Sequence, residues 1–225
     1  MTVVMWPAMR HPHNMPIQVD RERQRDHVTS LAARLVADEG VAALTFRRVA
    51  DLAGSSTAIV STYFTDKRDL LLSTFRAAAS RTTVRFETAI NTGGTLQDCL
   101  EAWLPLDDDR LVDWRVIIAF WGVAVADPEL AHVQDGHVSR ARARVEKLLP
   151  QERHLGDGPP PDLARLAQQI VALTLGIALQ AVFEPVTSVS VPQRELLADG
   201  LGRLLAETLP GYRGGSGLRG RSGAQ

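Results

Sequence analysis

Residues 45–70 read TFRRVADLAGSSTAIVSTYFTDKRDL. Two short stretches of helical pattern flank a glycine, which is the layout of a helix-turn-helix. Thr45 is a good N-cap for the first helix. That helix runs out at Gly54, where the tight turn needs a positive φ. Ala50, just ahead of Gly54, is small enough to let two helices approach. Val60 stands where an aliphatic side chain fills the angle between them. The second helix is read as Ser56 to Phe64. It carries Ser56, Thr57, Ser61, Thr62 and Tyr63 and no acid. Short hydroxyls can reach base edges and phosphate oxygens, whereas a carboxylate would repel phosphate. An Ala-x-x-x-Gly pair by itself also fits a plain helical hairpin with a solvated face. The flanking residues decide for the nucleic-acid reading.

Outward from this segment, helical periodicity dominates and strand patterns are nearly absent. Val28, Leu31, Ala32, Leu35 and Val36 share one face of a helix from Asp20 to Gly40. Gly40 suits a left-handed C-terminal cap. A long helix opens at Asp66, with Asp69 in the place of a capping-box acid, and runs to about Ile90. Thr95 to Leu104 is a short helix closed by Pro105, and Asp107 to Ala126 a longer one. Asp127-Pro128-Glu129 combines an N-cap acid, a first-turn proline and an acid facing the helix dipole. That helix extends to about Leu149. Residues 150–161 read as a loop, and a very apolar helix spans Asp162 to Phe183. Ser190-Val191-Pro192-Gln193 reads as a capping box opening a last helix to Leu209. The expectation is an all-α chain of nine helices with no internal repeat. Its organisation is a flexible tail at 1–19, a DNA-binding domain at 20–65, a ligand-binding and dimerisation domain at 66–209 and a disordered Gly/Arg-rich tail at 210–225.

The chain has 225 residues, 45% of them hydrophobic, enough to bury a real core. The formal charge is −1, so any DNA surface has to be a local patch. Lys67 and Lys147 are the only lysines among many arginines. One cysteine, Cys99, rules out an intramolecular disulfide. No apolar run reads as long enough to span a bilayer. The opening MTVVMWPAMRHPHNMP lacks a signal-peptide pattern, Met5, Met9 and Met15 are alternative starts to Met1, and the protein reads as cytoplasmic without a membrane partner. None of HExxH, CxxC, GxSxG or a phosphate loop is present, so an enzyme is not expected. His132 and His137 are poorly spaced to share a metal and read as solvent-exposed. Asp107-Asp108-Asp109 read as capping acids in preference to a cation site. No cofactor or metal is expected.

The 45–70 segment resembles the DNA-binding domain of the TetR (tetracycline-repressor) family, in which a Thr-opened helix is followed by A-G-V-S, a recognition helix ending in Y-F, and a Lys just inside the fourth helix. Thr45, Ala53-Gly54-Ser55-Ser56, Tyr63-Phe64 and Asp66-Lys67 stand at those places. Within that family, Ile59-Val60-Ser61-Thr62-Tyr63-Phe64-Thr65-Asp66-Lys67 looks most like the choline-responsive repressors of betaine synthesis, whose motif is close to I-I-S-H-Y-F-x-D-K. Ala119-Phe120-Trp121 is a weaker echo. Ser55 replaces the family's Val, Ala58 its frequent Gly and Thr62 the relatives' His, which leaves the operator sequence open. The resemblance implies phosphate contacts from Thr45, Tyr63 and Lys67. It implies backbone or base contacts from Arg47 and Arg48, major-groove contacts from Ser56, Thr57, Ser61 and Thr62, and a DNA contact from Ser55. Arg21, Arg23 and Arg25 read as a solvated face, with a backbone-contacting arm as the alternative.

The rest of the chain reads as sensor and dimer. Trp114, Ile117, Ile118, Trp121 and Val125 form one stripe, and Trp103, Phe120 and Phe183 add aromatics from neighbouring segments. Core packing explains each singly; the resemblance favours a cavity for a hydrophobic or amphipathic effector, with a Trp cage for choline as the lesser alternative. The 162–183 helix is apolar nearly all round, so a partner subunit is expected to complete its cover. Leu166, Ile170, Leu173 and Ile177 with Leu197, Leu201 and Leu204 are the expected interface of a homodimer about a two-fold axis. The functional expectation is a ligand-released repressor on a palindromic double-stranded operator. An activator of the same fold and a helical protein-interaction bundle are the alternatives.

Overall fold

A computed structural model describes residues 15–149, 161–183 and 190–209, and these form nine helices with no strand among the described residues. They are α1 (Met15–Ala43), α2 (Phe46–Leu52), α3 (Thr57–Ser61), α4 (Lys67–Asn91), α5 (Leu96–Glu101), α6 (Asp108–Ala124), α7 (Pro128–Leu148), α8 (Leu163–Ala181) and α9 (Ser190–Thr208). The expected 210–225 tail, most of the 150–161 loop and the expected tail up to residue 14 lie outside the described residues. α1 begins at Met15, inside the segment read as a tail.

Local signals place most of the helix ends. α1 breaks at Gly40, which takes φ 78° and ψ 174° before a further turn to Ala43. α2 is opened by Thr45, whose hydroxyl accepts from the Arg48 amide at 3.2 Å. It closes in a Schellman turn at Gly54 (φ 59°), where the Ser55 amide reaches the Ala50 carbonyl and the Gly54 amide reaches Asp51. Asp66 caps α4 by accepting from the Asp69 amide at 2.8 Å. The Asp69 carboxylate reaches back to the Thr65 amide at 3.0 Å. Thr95 and Asp98 form a full capping box on α5. Asp107 caps α6, and Asp127 caps α7 with Pro128 in its first turn. Gln193 departs from its expected capping role. Its buried side chain donates to the Pro105 carbonyl at 3.3 Å and ties α9 to the segment after α5.

α1 packs on α4 and α6, α4 on α6, α7 on α8, and α8 on α9. One apolar core runs through these contacts, from Val49, Val60 and Phe64 at the N-terminal end to Leu166, Ile170 and Leu197 at the other. Between α4 and α6, the buried Asp113 carboxylate accepts from Arg81 Nε at 2.8 Å and from an Arg85 terminal nitrogen at 2.7 Å. α8 is long and apolar enough to cross a membrane, with mean hydropathy 1.3, contrary to the reading that no run reaches that length. In the fold, its inner face packs into the core against α7 and α9.

Candidate nucleic-acid interface and ligand cavity

The turn at Gly54 sets α3 against α2 through buried Ala50 and Val60. This leaves Ser56, Thr57, Ser61 and Thr62 exposed. Ser56 opens α3 without a side-chain cap hydrogen bond, so its hydroxyl stays available. The Ser61 and Thr62 hydroxyls donate to the Thr57 and Ile59 carbonyls at 2.9 and 2.7 Å, which fixes their rotamers and leaves oxygen lone pairs outward. α3 is shorter than expected, because the chain leaves the helix after Ser61 to bring Phe64 into the core. Ser55 departs from the expected DNA contact: its hydroxyl is buried without a partner among the described residues.

Two expected phosphate ligands are held from behind. The Tyr63 hydroxyl meets Gln24 Oε1 of α1 at 2.5 Å, and Lys67 Nζ donates to the Ala42 carbonyl at 3.3 Å. Arg47 is exposed, whereas Arg48 is engaged with Glu39 at 2.6 Å. Arg25 is structural, its guanidinium 5.4 Å from the Phe64 ring centroid and bonded to Ser73 Oγ at 3.1 Å, while Arg21 and Arg23 are exposed. Ile59 escaped sequence reasoning because it looks like core. It is 42% exposed on α3 beside the hydroxyls, where an apolar side chain can meet a thymine methyl.

The second site lies between α4, α6 and α7. Trp103, Trp114, Ile117 and Trp121 line one cavity with Thr82, Thr83, Gln134, His137, Val138, Ala141, Arg144 and Leu175. The Trp114 and Trp121 rings meet edge to face with centroids 6.1 Å apart, and Trp103 stacks on Phe86 at 4.4 Å. Trp114 Nε1 donates to the Trp103 carbonyl at 2.6 Å. Trp121 Nε1 and Gln134 Oε1 are buried without a partner among the described residues. The cavity is about 40 Å³, room for a few waters.

Three expected lining residues lie elsewhere. Phe120 points to the other side of α6 and stacks on Phe75 with centroids 3.9 Å apart. Ile118 packs half-buried against the core away from the cavity. Phe183 lies beyond the end of α8 and is 78% exposed. His137, read as solvent-exposed, is half-buried with its ring edge-on to Phe75 at 5.8 Å. Burial, then the charges of Arg140 and Arg144, push its pKa below the usual histidine value. Sequence reasoning missed the α4 and α7 contributors, because no local motif marks them.

The expected interface also changes. Leu166, Ile170, Ile177, Leu197 and Leu201 are buried within the protomer by the packing of α8 on α9, and only Leu173 and Leu204 are part-exposed. The outward side of α8 and α9 instead carries Ala172, Leu179 and Leu196, with Phe183 beyond.

Residues 28–74 match the sequence profile of bacterial regulatory proteins of the tetR family, and residues 94–206 match the C-terminal region of BetI-type transcriptional repressors. The HTH-type transcriptional regulator PksA of Bacillus subtilis is 23% identical over 177 residues, covering 76% of this chain and 85% of PksA. A transcriptional regulator from Rhodococcus sp. Rha1 superposes with TM-score 0.70 at 23% identity, over 81% of this chain and 96% of that one. A regulator from Saccharomonospora viridis, solved in complex with choline, gives TM-score 0.66 at 20% identity, over 83% of this chain and 96% of its own.

Proposed function

Because the chain belongs to the tetR family of bacterial regulatory proteins and carries a BetI-type C-terminal domain, we propose that this DNA-binding regulator is a homodimeric repressor released from a palindromic operator by a small effector. The observation that carries the reading is the continuity of α4. Its first residue, Lys67, sits beside the recognition helix, and Thr82 and Thr83 of the same helix line the aromatic cavity. About 22 Å of helix joins them, so a ligand that moves the wall of the cavity moves Lys67 and the recognition helix with it.

Each protomer supplies one recognition helix. The exposed apolar side of α8 and α9, around Ala172, Leu179 and Leu196, suits an isologous four-helix contact that would set two copies on successive major grooves, roughly 34–36 Å apart. Ser56, Thr57, Ser61 and Thr62 take the base edges with Ile59, while Thr45, Arg47, Tyr63 and Lys67 take phosphates. The protein acts where the DNA is, in the cytoplasm.

Binding to DNA upstream of its own gene, measured by gel shift with and without candidate effectors, tests the reading. A salt-dependent complex that effectors dissociate is expected. Binding that no effector alters, or no binding, overturns it. Choline is a second candidate effector: the Saccharomonospora viridis neighbour binds it, and the Trp103, Trp114 and Trp121 rings could stack around a quaternary ammonium.

A further inference from the structure

The aromatic cavity has a neighbouring groove whose chemistry bears on the charge of the effector. Between α4 and α7 lies a groove of about 410 Å³ lined by Arg76, Arg140, Arg144, His132 and His137, a volume in the range of small-molecule sites. Thr83, His137 and Arg144 line both this groove and the aromatic cavity, so the two are neighbouring compartments with a common wall. The groove lining holds three guanidiniums and two imidazoles and no carboxylate. Arg76 and Arg140 make no ion pair among the described residues. The pair of Arg144 with Glu87 is long, 3.4 Å, and Glu87 is half exposed. Gly136 widens the groove floor, since a Cβ there would come within 3.3 Å of the Arg140 guanidinium.

We propose that the effector is an amphipathic anion, its carboxylate or phosphate head held by Arg76, Arg140 and Arg144 and its apolar end inserted among Trp103, Trp114 and Trp121. This rests on the ligand-released reading above and specifies its site. The groove offers fork-shaped donors suited to an oxyanion. The inner cavity offers aromatic walls, with the unpaired indole N–H of Trp121 and the amide oxygen of Gln134 ready for a polar atom along the buried portion. His137 stands in the common wall, its pKa lowered first by burial and then by the charges of Arg140 and Arg144. An anion in the groove relieves that positive field, whereas an alkylammonium adds to it. The inner cavity is small as it stands, so insertion of the apolar end displaces part of the α4–α7 wall, the movement that release of DNA requires.

The test is titration calorimetry of the full-length protein with decanoate, decyl phosphate, decanol and decyltrimethylammonium, followed by the same probes against the DNA complex. The anions are expected to bind at least tenfold more tightly than decanol and decyltrimethylammonium. R76Q/R140Q is expected to lose at least tenfold for the anions and nothing for decanol, with its circular dichroism unchanged. Preference for decyltrimethylammonium or choline, no difference between charge types, no binding by any of the four at millimolar concentration, or indifference to R76Q/R140Q overturns the inference. Anion binding without release of DNA upholds the site and sinks the switch; DNA release by a cation does the reverse.

Discussion

The guanidinium of Arg68, in the first turn of α4, grips the Asp127 carboxylate that caps α7, through hydrogen bonds of 3.0 Å from Nε and 2.9 Å from a terminal nitrogen. The same terminal nitrogen reaches Glu129 at 2.8 Å. The bidentate pairing draws the Asp127 pKa below the usual carboxylate range. Arg68 neighbours Lys67, and α7 carries His132, Gln134 and His137 of the two chambers. The pair therefore pins the start of one cavity helix to the DNA-facing end of another. Both groups face solvent, so their value is in geometry more than in stability.

Arg68→Ala is accordingly expected to uncouple the sites. Affinity for DNA without effector should change little, and affinity for effector should also hold. The effector concentration that releases half the DNA should rise several-fold above the dissociation constant measured calorimetrically. If the two stay matched as in the wild type, the coupling runs through α4 alone.

Lys67→Ala and Tyr63→Phe should weaken binding to every DNA sequence about equally, because phosphate contacts carry no base information. Loss of Lys67 should also lower the slope of log affinity against log salt by about one. Gln24→Ala should mimic Tyr63→Phe in part, since Gln24 positions the phenol. Fluorescence anisotropy at several salt concentrations, with specific and random duplexes, reads all three; an unchanged slope for Lys67→Ala removes it from the phosphate contacts.

Leu179→Arg and Ile170→Glu separate assembly from folding. Leu179 is 36% exposed on the outer side of α8, while Ile170 is fully buried in its own protomer. Leu179→Arg should yield a folded monomer by light scattering with normal helical circular dichroism. Ile170→Glu should destabilise the protomer itself, by several kcal/mol for an unpaired buried charge. A dimer surviving Leu179→Arg would place the interface elsewhere.

His137 makes stability depend on pH. Its folded-state pKa lies below the ordinary value of 6.5, so the unfolded chain takes up a proton that the folded chain refuses. Stability is unaffected well above pH 7 and falls as pH drops through 6.5, by at most about 1.4 kcal/mol per pH unit. Burial sets this sign, and the positive charges of Arg140 and Arg144 add to it; Arg76 and His132 line the same groove, and the half-exposed Glu87 is paired with Arg144. Urea midpoints at pH 7.5 and 5.5 should fall more for the wild type than for His137→Asn; equal losses would show that the ring titrates freely.

The sequence by itself determined the helices and the DNA-binding unit, because those signals are local. Thr45, Gly54, Asp66, Thr95, Asp127 and Pro128 act within one turn of their own position. Val60 and Ala50 likewise fall where a helix-turn-helix needs them. Tertiary structure decided which residues share a cavity and which remain outside. Ile117, Ile118 and Phe120 are close neighbours on α6, yet successive residues on a helix diverge by about 100°. Only Ile117 lines the aromatic cavity; Phe120 stacks on Phe75 and Ile118 packs elsewhere. Composition marked α8 as apolar all round, but only its packing on α9 showed Ile170 and Leu197 already covered and Leu179 left outside. The basic groove was invisible for the same reason. Arg76 and Arg140 are far apart in the chain and sit in no local motif; they line one chamber only because α4 and α7 come side by side.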